Sequence, residues 1–152
     1  MFVYRLAREK YGNALSGYGA AIYGARWNSK GIQMIYTAEN RSLAMAEVAV
    51  HLSLATMPND YFMHTIFIQD TISLMEISEE NLPLDWNAFP HTRLTQKIGD
   101  SFIIKNEFCV LKVPSVVTKG DFNILINPFH QEFNKIKVED ITPFKFDDRL
   151  FK

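Results

Sequence analysis

One carboxylate is hard to explain structurally. Glu47 sits in the middle of "NRSLAMAEVAVHL", a stretch otherwise almost wholly apolar in its centre. A helix that buries such a stretch gains nothing from an acid there, because a desolvated carboxylate is costly unless it is partnered. Four residues on, His51 falls on the same helical side, the spacing at which a Glu/His pair can hold a metal. A metal site needs further ligands, and His64, His91 and His130 are isolated in sequence, so no metal is expected. Ser115, in "VPSVV", lacks the glycines of a nucleophile elbow, which argues against a hydrolase triad. Cys109, the single cysteine, lies in the apolar run "EFCVLKV" and reads as a small buried hydrophobe.

The remaining polar set is Arg5, Arg26, Tyr36 and Glu47. Arginine binds anions bidentately. A tyrosine ring offers a stacking face. A desolvated carboxylate stabilises positive charge growing on a sugar ring. Together they suit cleavage of a nucleoside-type glycosidic bond next to a phosphate. The bland alternative is structural: Arg5 pairs with Glu47, and Tyr36 is core.

The elements that must position these residues follow from periodicity. "FVYRLA" reads as a first strand carrying Arg5, and "IQMIYTA" as a second carrying Tyr36. Between them, residues 10–31 hold five of the seven glycines and read as a long ordered loop or series of tight turns. Asn40 or Ser42 caps a helix over roughly 41–56. Leu43, Val50 and Leu54 share one side of it with Glu47, and the helix is apolar enough all round to be buried. Further strands are expected at "YFMHTIFI", "SLMEI", "FCVLKVPSVV" (broken by Pro114) and "FNILINPF", with one or two more at the C-terminal end. "TRLTQKIGDSFIIKN" is an amphipathic helix containing a glycine. Strands outnumber helices without alternating regularly with them, which favours α+β over a doubly wound sheet.

Composition excludes several classes. The chain has 152 residues, enough for one domain with a real core. Its formal net charge is -1, with no massed basic residues of the kind nucleic-acid binding requires. No apolar run approaches the ~20 residues of a membrane span. The N-terminus lacks signal-peptide character, and one cysteine suits a reducing compartment, so a cytoplasmic protein is expected.

In their order along the chain, "YRLA", "GARWNSKG", "IYTAENRSLAMAEVAVHL", "VPSVV", "NILINPFH" and "FDDRLF" resemble the RES-domain toxins of bacterial RES–Xre toxin–antitoxin modules. The resemblance spans nearly all of residues 1–152. Two departures stand out: Gly24-Ala25 where members usually have two glycines, and "DDR" where many have Asp-Pro-Arg. It implies one compact domain similar to the diphtheria-toxin-like ADP-ribosyltransferases. It implies NAD as substrate, degraded by hydrolysis or phosphorolysis at the nicotinamide bond, or used to transfer ADP-ribose to a protein. Arg5, Tyr36 and Glu47 are the catalytic residues so implied. Arg26, Asn28 and Ser115 are implied as further NAD-binding residues. The implied partner is an Xre-like helix-turn-helix antitoxin, to which any DNA contact would belong. A module that binds a nucleotide or partner without catalysis is the remaining alternative.

Overall fold

In a computed structural model, which describes residues 1–53 and 58–151, seven strands form one sheet in the order β4-β5-β6-β2-β1-β3-β7. The strands are β1 (Phe2–Arg8), β2 (Ile35–Ala38), β3 (Tyr61–Phe67), β4 (Leu74–Glu76), β5 (Val110–Pro114), β6 (Phe122–Ile126) and β7 (Lys137–Phe144). Only β4 and β5 run parallel; the other pairs are antiparallel. Pro114 ends β5, and Pro143 is accommodated in β7 because that strand lies at the sheet edge. This is the expected α+β architecture, with a single closing strand at the C-terminal end.

Both faces are covered, as strand alternation requires. Val3, Ile35, Ile66, Val110, Ile124 and Ile126 point to one side, into a cluster closed by Ile68, Ile72, Cys109 and Ile136. Leu111 and Leu125 point to the other side, where Trp27, Trp86, Phe102 and Ile103 cover them and Tyr36 packs alongside. On that second side Leu6, Ala38 and Met63 meet Leu43 and Ala44. Thus α2 (Arg41–Ala49) and α3 (Arg93–Lys105) both lie on the second face.

Local chemistry sets the helix limits. Asn40 caps α2, its side-chain oxygen accepting from the Leu43 N–H at 2.7 Å. Val50 closes α2 but is 59% exposed, so it does not share the buried side with Leu43. The end of the expected longer helix, with Leu54, lies outside the described residues. The glycine-rich stretch is not all loop: it contains a short helix, α1 (Tyr18–Tyr23), closed by Gly24 at φ +70°.

The sheet is irregular between β1 and β2. β1 pairs with β3 along all seven of its residues but with β2 through the single pair Tyr4↔Ala38. Beyond that pair no ladder joins β1 to β2, and Arg5 of β1 and Tyr36 of β2 both lie in this unpaired stretch.

Candidate active site

Glu47 lies on α2, half-buried, and a side chain from β5's end reaches it. The Ser115 hydroxyl donates to Glu47 Oε1 at 3.2 Å. Ser115 is itself buried, and its oxygen accepts from the N–H groups of Val117 and Thr118, both at 3.1 Å. The residues after Pro114 thus form a turn around the serine oxygen, which fixes the remaining hydrogen toward the carboxylate. With its acceptor capacity filled by two amides, this hydroxyl directs its hydrogen to Glu47.

Arg26 supplies the positive charge near Glu47. Its Nη1 donates to the carbonyls of Trp86 and Ala88 at 2.7 and 2.9 Å. Burial lowers the guanidinium's pKa from its ordinary value, while the Glu47 carboxylate and the Tyr36 phenol oppose that shift. Arg26, Glu47 and Tyr36 therefore lie within electrostatic range of one another.

Tyr36 is held by its hydroxyl, which donates to Asn28 Oδ1 at 2.7 Å and accepts from the Trp27 N–H at 3.1 Å. Burial pushes the phenol far above its usual range, and the Asp100 and Glu47 carboxylates add to the effect. The hydroxyl is engaged on both sides within the protein. Asn28 has no exposed surface, and its amide donates to the carbonyls of Ala20, Ser29 and Ile32. Both ends of that side chain are engaged within the protein. Asn28 enters the site through Tyr36, not by reaching outward.

Arg5 stands apart. Alternation sends its side chain out on the side of Val3, away from Leu6 and α2, and opposite His64 of β3. Its Nη1 donates to the Ser16 carbonyl at 3.2 Å, in the glycine-rich segment. Burial lowers its pKa from the ordinary value. The alternative structural reading, an Arg5–Glu47 pair, is not formed: among the described residues Arg5 makes no ion pair, and Arg26 is the cation on which the Glu47 carboxylate acts. Arg5 does line a cleft of about 390 Å³ together with Arg8, Tyr11, Tyr61 and Val48, the residue after Glu47.

The RES domain family matches residues 2–147. The chain belongs to the RES-domain family. It is 36% identical over 155 residues to "Toxin Res" of Photorhabdus laumondii, covering all of this chain and 98% of that protein. It is 33% identical to "Toxin Res" of Yersinia enterocolitica, covering 99% of each chain. It is also 33% identical to "Prs ADP-ribosylating toxin" of a Sphingobium strain, covering 96% of this chain and 92% of that one. Its fold is similar to one in the crystal structure of the M. tuberculosis MbcT-MbcA toxin-antitoxin complex, with a TM-score of 0.77 at 20% identity, over 98% of this chain and 85% of that one.

Within this RES domain, other reactive groups lie elsewhere. Cys109 is fully buried, and its thiol is pushed up to about 12 by burial and the nearby Glu132 carboxylate, which leaves it inert at neutral pH. Among the described residues no group of three His, Cys, Asp or Glu is placed to hold a metal, and no helix is long and apolar enough to cross a membrane. Three features of the RES-domain site were not legible in sequence: the carbonyls of Trp86 and Ala88 that hold Arg26, the Ser16 carbonyl that meets Arg5, and the side chains of α3 that grip the Arg26 loop. None of these carries a local motif, since each depends on segments distant in the chain.

Proposed function

We propose that this RES-domain chain is the toxin of a type II toxin–antitoxin module and that it cleaves the nicotinamide–ribose bond of NAD. The observation that carries this reading is the set Glu47–Ser115–Arg26–Tyr36: a carboxylate held by a hydroxyl, with a cation and an aromatic ring within electrostatic range. The toxin names of the relatives support the reading, and so does the neighbour's place in a toxin-antitoxin complex.

In the proposed reaction the C1′–N bond breaks and its electron pair stays with nicotinamide, which leaves as a neutral molecule. Positive charge then develops on the ribose. The Glu47 carboxylate stabilises it and accepts a hydrogen bond from a ribose hydroxyl. Ser115 keeps the carboxylate oriented, so little reorganisation is needed as the charge appears. The Tyr36 ring supports the nicotinamide, and Arg5 and Arg26 hold the pyrophosphate or ribose. An oxygen of water or of inorganic phosphate bonds to C1′; with water, a proton is released. The cleft lined by Arg5, Arg8, Tyr11, Tyr61 and Val48 is read as part of the NAD site of a diphtheria-toxin-like ADP-ribosyltransferase fold. The chemistry requires no metal. The partner is an Xre-like antitoxin, and the setting is the cytoplasm, where NAD is abundant.

A second reading shares the same first half. The printed name of the Sphingobium relative favours transfer of ADP-ribose to a protein, which changes only the acceptor. Incubating the purified chain with NAD alone separates the two. Nicotinamide release without a protein target, accelerated by phosphate for a phosphorylase, supports NAD degradation. Release that requires an added protein supports transfer. No release under either condition, with folded protein, refutes both and leaves a non-catalytic binding module.

A further inference from the structure

The loop Ala25–Ser29, which carries Arg26 and supplies both partners of the Tyr36 hydroxyl, is gripped from below by α3. Three residues do this from one helical face: Gln96, Gly99 and Asp100, at i, i+3 and i+4. Gln96 Nε2 donates to the carbonyls of Ala25 and Asn28, at 3.1 and 3.2 Å. Asp100 uses both oxygens on one residue: Oδ1 accepts from the Ser29 N–H at 2.9 Å and Oδ2 from the Ser29 hydroxyl at 2.5 Å. Between them, Gly99 lets the helix backbone touch the loop. A Cβ there would stand 1.6 Å from the Trp27 carbonyl oxygen, so no other residue fits without displacing the loop.

The consequence reaches the site through bonds already described. Trp27 and Asn28 hold the Tyr36 hydroxyl, and Arg26 sits one residue before Trp27. Resting on the NAD-cleaving reading, we propose that Asp100 is a positioning residue: by pinning Ser29 it locks the Ala25–Ser29 loop onto Gly99 and so sets where Arg26 and the Tyr36 ring stand relative to Glu47. Asp100 touches no ligand in this scheme. Its carboxylate also adds to the upward push on the Tyr36 phenol.

Two variants separate positioning from simple folding. Asp100→Ala removes both bonds to Ser29. Asp100→Asn keeps an acceptor for the Ser29 N–H, and its amide can donate to the hydroxyl oxygen. The readouts are nicotinamide release and hydrogen exchange followed by mass spectrometry. Expected for Asp100→Ala is a fall in kcat/KM of about 10- to 100-fold, the scale on which a small displacement of a positioned group acts. Asp100→Asn should recover most of it. Against an Arg26→Ala background, Asp100→Ala should cost clearly less than in the wild type, since one of the two groups it positions is gone. Exchange should rise in residues 25–30 and stay unchanged in β5 and β6. Equal loss in the presence and absence of Arg26, wild-type activity, or exchange rising throughout the sheet would each overturn the proposal. If the wild-type chain does not consume NAD, the NAD reading fails on its own, and the exchange pattern still decides whether Asp100 locks the loop.

Discussion

Replacing Ser115 by alanine probes the support of Glu47 most directly. The substitution removes one hydroxyl with three contacts: the bond donated to Glu47 and those accepted from Val117 and Thr118. Ser115 is only 4% exposed, so the two amides lose their partner in a nearly dry place. A buried donor left unpaired costs about 1–3 kcal/mol. Val117 and Thr118 are themselves half-buried, which lets water reach them in part and favours the lower end of that range. The two together give a loss of about 2–3 kcal/mol. For a domain of this size that lowers Tm by about 4–12 °C. Activity should suffer separately. Glu47 loses the donor that orients it, and one hydrogen bond to a charged group, about 1.5 kcal/mol, corresponds to roughly tenfold in rate. The assay is nicotinamide release at 20 °C, well below the lowered Tm, beside a calorimetric melt. Ser115→Thr keeps the hydroxyl and should retain more of both properties. Wild-type activity in a well-folded Ser115→Ala protein would show that the serine does not hold a working carboxylate. An unchanged Tm would show that the turn does not depend on it.

Four further outcomes follow. Glu47→Gln keeps an acceptor for Ser115 but removes the charge, so kcat should fall by about 10² or more while the melt stays near wild type; wild-type turnover in the folded variant would make Glu47 structural. Arg5→Lys preserves charge and one bond to the Ser16 carbonyl but loses the planar fork, so NAD use should drop at least about tenfold; full activity would remove Arg5 from the ligand. Tyr36→Phe strands the Trp27 N–H and the Asn28 carbonyl oxygen, so urea unfolding should show a loss of about 2–4 kcal/mol; an unchanged midpoint would contradict the network. His64 is buried beside Arg5, and both burial and that positive charge lower its pKa. The unfolded chain therefore takes up a proton before the native state does as pH falls below ~6.5, and stability should decline across that window; His64→Phe should flatten the decline, and an unaltered slope would show that His64 does not contribute.

The strands and the two longer helices were legible because their signals are local. Alternation marks β1 and β3, Asn40 marks the start of α2, and the amphipathic run marks α3. Glycine density hid α1, since a six-residue helix flanked by Gly17 and Gly24 has little periodicity to detect. Val50 was placed on the buried side because the helix was extended through it, whereas α2 ends one residue earlier. Gly99 was visible as an anomaly, but its cause, the Trp27 carbonyl, lies 72 positions away. The site divides along the same line. Glu47 was conspicuous from its neighbours alone. Its companion Ser115 needed the fold, because no sequence spacing links the end of β5 to the middle of α2. The alternative of an Arg5–Glu47 pair fails for the same reason: Arg5 leaves β1 on the side away from α2, and a one-residue alternation decides this where no local motif does.

The proposed ligand role of the two arginines fits their surroundings. Both are half-buried, and burial lowers the pKa of both. A guanidinium stays charged under such a shift and presents five donors. Among the described residues neither forms an ion pair, unlike Arg8, which meets Asp60 at 3.0 Å. Arg5 satisfies one donor on a carbonyl, and Arg26 directs a single nitrogen at two carbonyls. Carbonyl dipoles position a cation without neutralising it. A fold selected for stability alone gains little from two partly desolvated cations that make no direct ion pair, because a buried charge is costly unless paired. In the proposed function a bound anion would supply the balancing charge. Glu47 beside Arg26 limits how much negative charge Arg26 alone can accept. That combination suits a dinucleotide, whose pyrophosphate is anionic and whose nicotinamide end is cationic: the arginines attract one part and Glu47 the other.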